Sequence, residues 1–169
     1  MRQYWLQAEA LEGCRPMTLL ETRVVPEWVD YNGHMNDAEY ARVFSLAVEE
    51  LMDRIGLDTE GRARHAYTIY TLETHLCYRR ETHEGEPLTV DMMLLDQDAK
   101  RLHVFFTMHD GEGRELATSE QMLMGMSTES NRPSAFPESV AGHIANLPRP
   151  NGDWPVLAGR RIGIRRNGL

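Results

Sequence analysis

The run Asn36-Asp37-Ala38-Glu39-Tyr40-Ala41-Arg42-Val43-Phe44-Ser45-Leu46-Ala47-Val48-Glu49-Glu50-Leu51-Met52-Asp53-Arg54-Ile55-Gly56 decides how the rest of the chain reads. Tyr40, Phe44, Ala47, Val48, Leu51 and Ile55 recur at helical spacing, so one face of a long helix is apolar. Asn36 with Glu39 three residues later is a capping-box arrangement, which predicts a helix beginning at Asp37. Gly56 is a natural stop.

Beyond this helix the period changes from helical to two. Thr68, Tyr70, Leu72, Leu76 and Tyr78 are expected on one face of a strand, and Leu88, Val90, Met92 and Leu94 on another. Leu102, Val104, Phe106 and Met108 mark a third strand, and Met122, Met124 and Met126 a fourth. The connectors Glu84-Gly85-Glu86, Asp96 to Lys100 and Asp110-Gly111-Glu112-Gly113 are short and polar, as hairpin links are. Upstream, Leu19 to Val25 reads as a strand ending at Pro26. The expectation is an α+β chain in which an antiparallel sheet of about five strands wraps one long helix. Residues 1–17 read as an N-terminal arm, 18–147 as the folded domain and 148–169 as a C-terminal tail with a basic end. A short helix is expected within Pro137 to Leu147.

With 169 residues the chain is long enough for one domain with a real core. Its net charge of −8 and pI near 5.3 lack the basic footprint of a nucleic-acid binder. No apolar run approaches the ~20 residues that span a bilayer, and the first residues carry no secretory apolar region. Cys14 and Cys77 form neither a disulfide framework nor a C-x-x-C pair, which fits a reducing cytoplasm. Of the 18 basic residues, four arginines lie in 159–166, a stretch without acids that reads as a solvated tail.

The chemistry concentrates just before the long helix, in Trp28-Val29-Asp30-Tyr31-Asn32-Gly33-His34-Met35-Asn36. A helix start holds backbone N–H groups without intrahelical partners and the positive end of the dipole. It can therefore polarise a carbonyl and hold the oxyanion formed on attack. Asp30 nearby can attack that carbonyl or deprotonate a water that does. Gly33 lets backbone approach a substrate closely. His34 can orient a water or a carbonyl, or can simply satisfy loop hydrogen bonds, while Asn36 serves most directly as the N-cap. Asp-x-Asn-Gly is also ordinary turn chemistry, in which Asp30 caps its own loop. Both readings of Asp30 stand on spacing alone. The remaining histidines show no metal-ligand spacing, and no nucleophile elbow, phosphate loop or dinucleotide fingerprint is present, so neither metal nor cofactor is expected.

The eleven residues Asp30-Tyr31-Asn32-Gly33-His34-Met35-Asn36-Asp37-Ala38-Glu39-Tyr40 resemble the D-x-x-G-H-x-N-x-x-x-Y signature of hotdog-fold acyl-CoA thioesterases of the 4-hydroxybenzoyl-CoA thioesterase type. The likeness spans about Leu19 to Ser127. It implies a single hotdog domain that hydrolyses an acyl-CoA, with CoA as part of the substrate and no cofactor. It further implies Asp30 as nucleophile or general base and a backbone donor near Asp37 for the thioester carbonyl. Relatives of this type are homodimers or homotetramers with sites at subunit interfaces. Lys100 and Arg101 fall where such relatives place basic residues against the CoA phosphates. The runs Glu73 to Glu81, Asp98 to His103 and Ala117 to Leu123 are similar to thioesterases associated with carnitine breakdown, which implies betainyl-CoA as substrate. Trp28, Tyr31, Tyr70 and Tyr78 are then candidate walls for its quaternary ammonium, with Glu73 and Glu120 as sources of negative charge.

Two other readings are separable. A hotdog hydratase or dehydratase uses a D-x-N-P-x-H loop, but here Gly33 replaces the proline and His34 comes one position early. A non-catalytic acyl-CoA sensor needs no carboxylate at the helix start, and its signature is stoichiometric binding without thiol release.

Overall fold

The computed structural model describes residues 15–164. The expected N-terminal arm lies outside the described residues as far as residue 14, and so do residues 165–169 of the basic end. In chain order the elements are β1 (Met17–Arg23), a single 3-10 turn (Pro26–Trp28), α1 (Asp37–Arg54) and α2 (Thr59–His65). There follow β2 (Tyr67–Tyr78), β3 (Pro87–Gln97), β4 (Arg101–His109), β5 (Glu115–Ser127), β6 (Arg132–Pro133) and α3 (Glu138–Ile144). The sheet is antiparallel in the order β1-β3-β4-β5-β2, with the two-residue β6 paired to β5.

α1 starts where the sequence places it. Asn36 is extended and its Oδ1 accepts the Ala38 N–H at 3.0 Å. The capping box does not close, because the Glu39 carboxylate turns to Arg42 Nε at 2.6 Å instead of returning to Asn36. Tyr40, Val43, Phe44, Ala47, Val48, Leu51 and Met52 are buried on the face that meets the sheet. Opposite them lie Leu88, Val90, Met92 and Leu94 of β3 and Leu102, Val104, Phe106 and Met108 of β4, all essentially inaccessible. Each large apolar side chain so buried contributes ~1.5–3 kcal/mol, so this helix-on-sheet layer supplies most of the stability. A curled sheet around one long helix is the expected hotdog arrangement.

Four details depart from the sequence reading. First, β2 pairs with β5 rather than β3, so residues 79–86 form a crossover and only β3-β4-β5 is a meander. Second, the register of β2 slips between Thr71 and Glu73, where Leu72 bulges. A one-residue bulge exchanges the two faces of a strand. Tyr67 and Ile69 therefore point inward before it, Leu76 follows on the same face after it, and Tyr70 and Leu72 are left exposed. Third, Met122, Met124 and Met126 of β5 are on the outer face; the inward positions are Ala117, Ser119, Gln121, Leu123 and Gly125.

Fourth, α2 interrupts the strands. Its seven residues carry no apolar periodicity, and what holds it is Asp58, whose Oδ1 accepts the Gly61 N–H at 2.7 Å. Gly61 is buried, and a Cβ there would sit 2.0 Å from the Gly56 carbonyl oxygen. Backbone cannot yield as a side-chain tip does. Gly61→Ala is expected to cost ~1–3 kcal/mol in urea unfolding, and full retention of stability would show that α2 moves freely.

The C-terminal segment is not simply solvated. Leu94 N–H donates to Pro148 O at 2.8 Å, Trp154 meets the His103 ring edge-on at 5.1 Å, and Gly159 N–H donates to Glu120 Oε2 at 2.7 Å. This segment thus crosses the outer face of the sheet. Among the described residues, no helix is long and apolar enough to cross a membrane.

Candidate active site

The loop from Trp28 to Asn36 is tied at both ends. Val29 and Met35 form a bridge, Asp30 N–H donates to His34 O at 2.8 Å, and Asn36 N–H donates to Trp28 O at 2.8 Å. Gly33 has φ +77°, where a side chain would be strained, and its N–H returns to Asp30 O. A second layer of contacts fastens the loop to the β2–β3 crossover. Met35 N–H donates to Thr82 O at 2.9 Å, and His34 bridges to His83. The two imidazoles stand edge-on at 4.7 Å, and His34 Nε2 lies 3.5 Å from Glu81 Oε2. His34 thus has loop-holding contacts.

Asp30 divides its two oxygens. Oδ1 accepts the N–H groups of Asn32 at 2.8 Å and His34 at 3.2 Å, which is the turn chemistry that the sequence allowed. Oδ2 accepts no hydrogen bond among the described residues. At the helix start, Ala38 N–H is taken by Asn36 Oδ1 and Asp37 Oδ1, and Glu39 N–H donates to Asn36 O. The Asp37 N–H has no partner among the described residues. A free donor at the positive end of an 18-residue helix is suited to a carbonyl oxygen that gains negative charge.

An open cavity of about 330 Å³ adjoins this start, lined by Met35, Asp37, Tyr40, Tyr78 and Arg79 to Glu81. Tyr40 and Tyr78 meet edge-to-face at 5.3 Å. Tyr78 Oη donates to Asp37 O and Tyr40 Oη to Arg80 O, each at 3.2 Å. Burial, then the Glu81 carboxylate, pushes the Tyr40 phenol up; burial, then Asp37, does the same to Tyr78. Both are neutral donors at physiological pH. Next along the same faces of α1 and β2 lies a second cavity of about 450 Å³, lined by Ala41, Phe44, Ser45, Thr71, Thr74, Leu76 and Gln121.

The other residues named from sequence are scattered. Trp28 is half-buried against the core, and Tyr31 is 96% exposed on the loop. Tyr70, Lys100 and Arg101 cluster at the opposite end of the sheet, where Arg101 pairs with Met124 and Met124 with Tyr70. Eight residues of β2 separate Tyr70 from Tyr78, roughly 26 Å at ~3.3 Å per residue. One protomer therefore does not bring Lys100 and Arg101 to the helix start. Arg101 Nε also donates to Asp98 Oδ2 at 2.7 Å, and these bonds hold the Asp98 carboxyl down at about 2. Glu120 accepts from or pairs with His103 at 2.7 Å on the outer face.

Sequence reading passed over Tyr40, Arg79 and Arg80 as site residues, although all three stand in the runs it quoted. It also missed Gln121. Its signal was weak, because Gln121 follows Thr118, Ser119 and Glu120 in a polar part of β5 and only pairing with β2 and β4 shows which of them face inward.

The thioesterase-like superfamily matches residues 24–144. A betainyl-CoA thioesterase of Pseudomonas aeruginosa is 42% identical over 151 residues, covering 88% of this chain and 95% of the relative. An L-carnitine dehydrogenase/betainyl-CoA thioesterase of Rhizobium meliloti is 33% identical over 94% of this chain, which corresponds to 32% of that longer protein. Among solved structures, a Staphylococcus aureus protein in complex with CoA superposes with a TM-score of 0.82 at 36% identity, over 89% of this chain and 97% of that one. A 1,4-dihydroxy-2-naphthoyl-CoA thioesterase from Synechocystis shares the fold, with a TM-score of 0.68 at 15% identity over 79% of this chain and all of the other.

Proposed function

The chain belongs to the thioesterase-like superfamily and is a thioester hydrolase, and from that premise we propose betainyl-CoA as its substrate and Asp30 as its catalytic carboxylate. The observation that carries the mechanism is the pairing of a free donor and a free acceptor in one tethered loop: Asp37 N–H and Asp30 Oδ2. The thioester carbonyl oxygen accepts from Asp37 N–H, so charge developing on it meets the helix dipole. Asp30 Oδ2 either attacks the carbonyl carbon, giving an anhydride that water then opens, or takes a proton from the attacking water. In both routes a C–O bond forms, the C–S bond breaks and CoA leaves as thiolate. A thiol with an ordinary pKa near 8.5 departs without a dedicated general acid. Gly33 and Asn36 keep the loop and cap in shape, and His34 anchors them to the crossover.

Betainyl-CoA is supported by the identity to the Pseudomonas aeruginosa enzyme over nearly its whole length. Tyr78 lines the cavity at the helix start beside Tyr40, and the acyl group passes them so that its quaternary ammonium lies in the second cavity along α1 and β2. Trp28, Tyr31 and Tyr70 stand apart from the cavity at the helix start. Arg79 and Arg80 line it and would meet CoA phosphates from the same protomer. The working unit is a homodimer or homotetramer. Support comes from β2, an edge strand with exposed Tyr70, Leu72 and Tyr78 that would otherwise stand unpaired. A second copy on that edge would also carry Lys100 and Arg101 in from another protomer. A cytoplasmic setting accords with Cys77, which is free.

Thiol release from a panel of acyl-CoAs tests the substrate. Betainyl-CoA should exceed acetyl-, butyryl- and benzoyl-CoA in kcat/KM by at least ~10-fold, the scale of one good specificity contact. Equal turnover of the whole panel would remove the betainyl assignment. Stoichiometric binding without thiol would convert the protein into a sensor.

A further inference from the structure

The inward face of β5 is unlike those of β3 and β4. Where they present only large apolar side chains, β5 presents Ala117, Ser119, Gln121 and Leu123. Gln121 is 5% exposed, its Nε2 donates to Ser119 Oγ at 2.9 Å, and its Oε1 has no hydrogen-bond partner among the described residues. Among the described residues it is the only buried side-chain polar atom in that state. A buried acceptor without a partner is costly and uncommon. It calls for an explanation in what the site receives.

Gln121 lines the second cavity, and its neighbours there include the hydroxyl residues Ser45, Thr71 and Thr74 beside Phe44, Ala41 and Leu76. Such a lining suits a small polar acyl group better than a hydrocarbon chain. Ala41 lies one helical turn, about 6 Å, beyond Asp37, so an acyl group of a few atoms held by its carbonyl at Asp37 N–H extends toward this end. A quaternary ammonium has no N–H and donates no conventional hydrogen bond. It is recognised by partial negative charge and by aromatic surface, and an amide dipole acts on it over several ångströms. An uncommitted carbonyl oxygen is such a charge, since no donor N–H has already offset its dipole.

We infer that Gln121 is a specificity-determining residue, whose amide oxygen selects a cationic acyl group in the cavity between α1 and β2. The Nε2 bond to Ser119 orients the amide, and the buried, unpartnered Oε1 supplies the negative end of a dipole that acts on a trimethylammonium group in the cavity beside it. This rests on the thioesterase reading above, and it adds the atom that distinguishes a cation from a neutral group of the same shape. The hydroxyls of Ser45, Thr71 and Thr74 keep the wall polar without adding a formal charge.

The test compares betainyl-CoA with 3,3-dimethylbutanoyl-CoA, in which carbon replaces the quaternary nitrogen at constant shape. Wild type is expected to favour the cation by at least ~10-fold in kcat/KM, and Gln121→Leu to lower that ratio by at least ~10-fold. Gln121→Met, which refills the volume with a flexible chain, gives the same readout if the leucine variant does not fold. Thermal melting reports folding independently: removal of the unpartnered Oε1 acts against loss of the Nε2 bond to Ser119, so a folded variant is expected to melt within about 10 °C of wild type. A wild-type ratio near one, or variants that keep the wild-type ratio, overturns the role of Gln121 while thiol release still upholds the thioesterase. Failure of folded wild type to release thiol from either compound overturns both.

Discussion

Replacing Asp30 with Asn lowers kcat for thioester hydrolysis by at least ~100-fold and leaves the fold intact, the loss expected when a positioned carboxylate leaves a reaction. The substitution separates the two roles of the residue. An asparagine Oδ1 still accepts from Asn32 and His34, so the loop keeps its shape. Only the second oxygen changes, from a carboxylate oxygen to an amide nitrogen that can neither attack a carbonyl nor take a proton from water. Asp30→Ala should add a structural cost of ~1 kcal/mol, since the two loop N–H groups lose their acceptor. Parallel measurement of thiol release and urea stability on both variants checks the division. If Asp30→Asn turned over like wild type, Asp30 would be a turn residue only and the free Oδ2 incidental. Single-turnover trapping with a strong nucleophile then distinguishes the anhydride route from activated water, because only the former leaves an acyl group on Asp30.

Phe44→Ala is expected to destabilise the protein by about 3–5 kcal/mol. Phe44 is inaccessible, sits at the centre of the buried face of α1, and meets Phe106 of β4 at 6.2 Å between ring centroids. Deletion of the ring removes contacts to helix and sheet together. Ala41 and Ser45 beside it already face a cavity, so collapse of neighbours into the gap has little material to draw on. At ~2–4 °C per kcal/mol for a chain of this size, the midpoint falls by roughly 6–20 °C. Chemical denaturation checks the free energy directly. A loss below ~1 kcal/mol would mean that the sheet closes on the helix without that ring.

With Asp30 as the proposed catalytic carboxylate at a capped helix start, few residues suffice. The helix supplies an electrophilic end without any dedicated side chain, and the leaving group is a thiolate. What remains for side chains is one carboxylate and the contacts that choose the acyl group. On the proposed assignment those contacts lie along α1, β2 and β5 rather than in the loop, so chemistry and selectivity come from different segments of the chain.

Local signals carried much of this. The helix from Asp37, its Asn36 cap, the inward faces of β3 and β4 and the Asp30 turn are all set by neighbours within a few residues, and periodicity or turn chemistry reports them. Contacts between distant segments are another matter. The Leu72 bulge, which exchanges the faces of β2, depends on pairing with β5 some fifty residues away. The pairing of β2 with β5 over β3 is likewise a choice among strands of similar pattern. Gly61 and Asp58 build α2 from a seven-residue run that no amphipathic period marks. Within one protomer Lys100 and Arg101 lie a sheet's length from the helix start, a separation that only the strand register fixes. Sequence by itself determined the helix, its cap and the carboxylate beside it, because these are short-range energies. Tertiary structure alone decided which strand faces line the cavities, and that Gln121 lies there with an unpartnered oxygen, because a one-residue slip in pairing reverses every side chain beyond it.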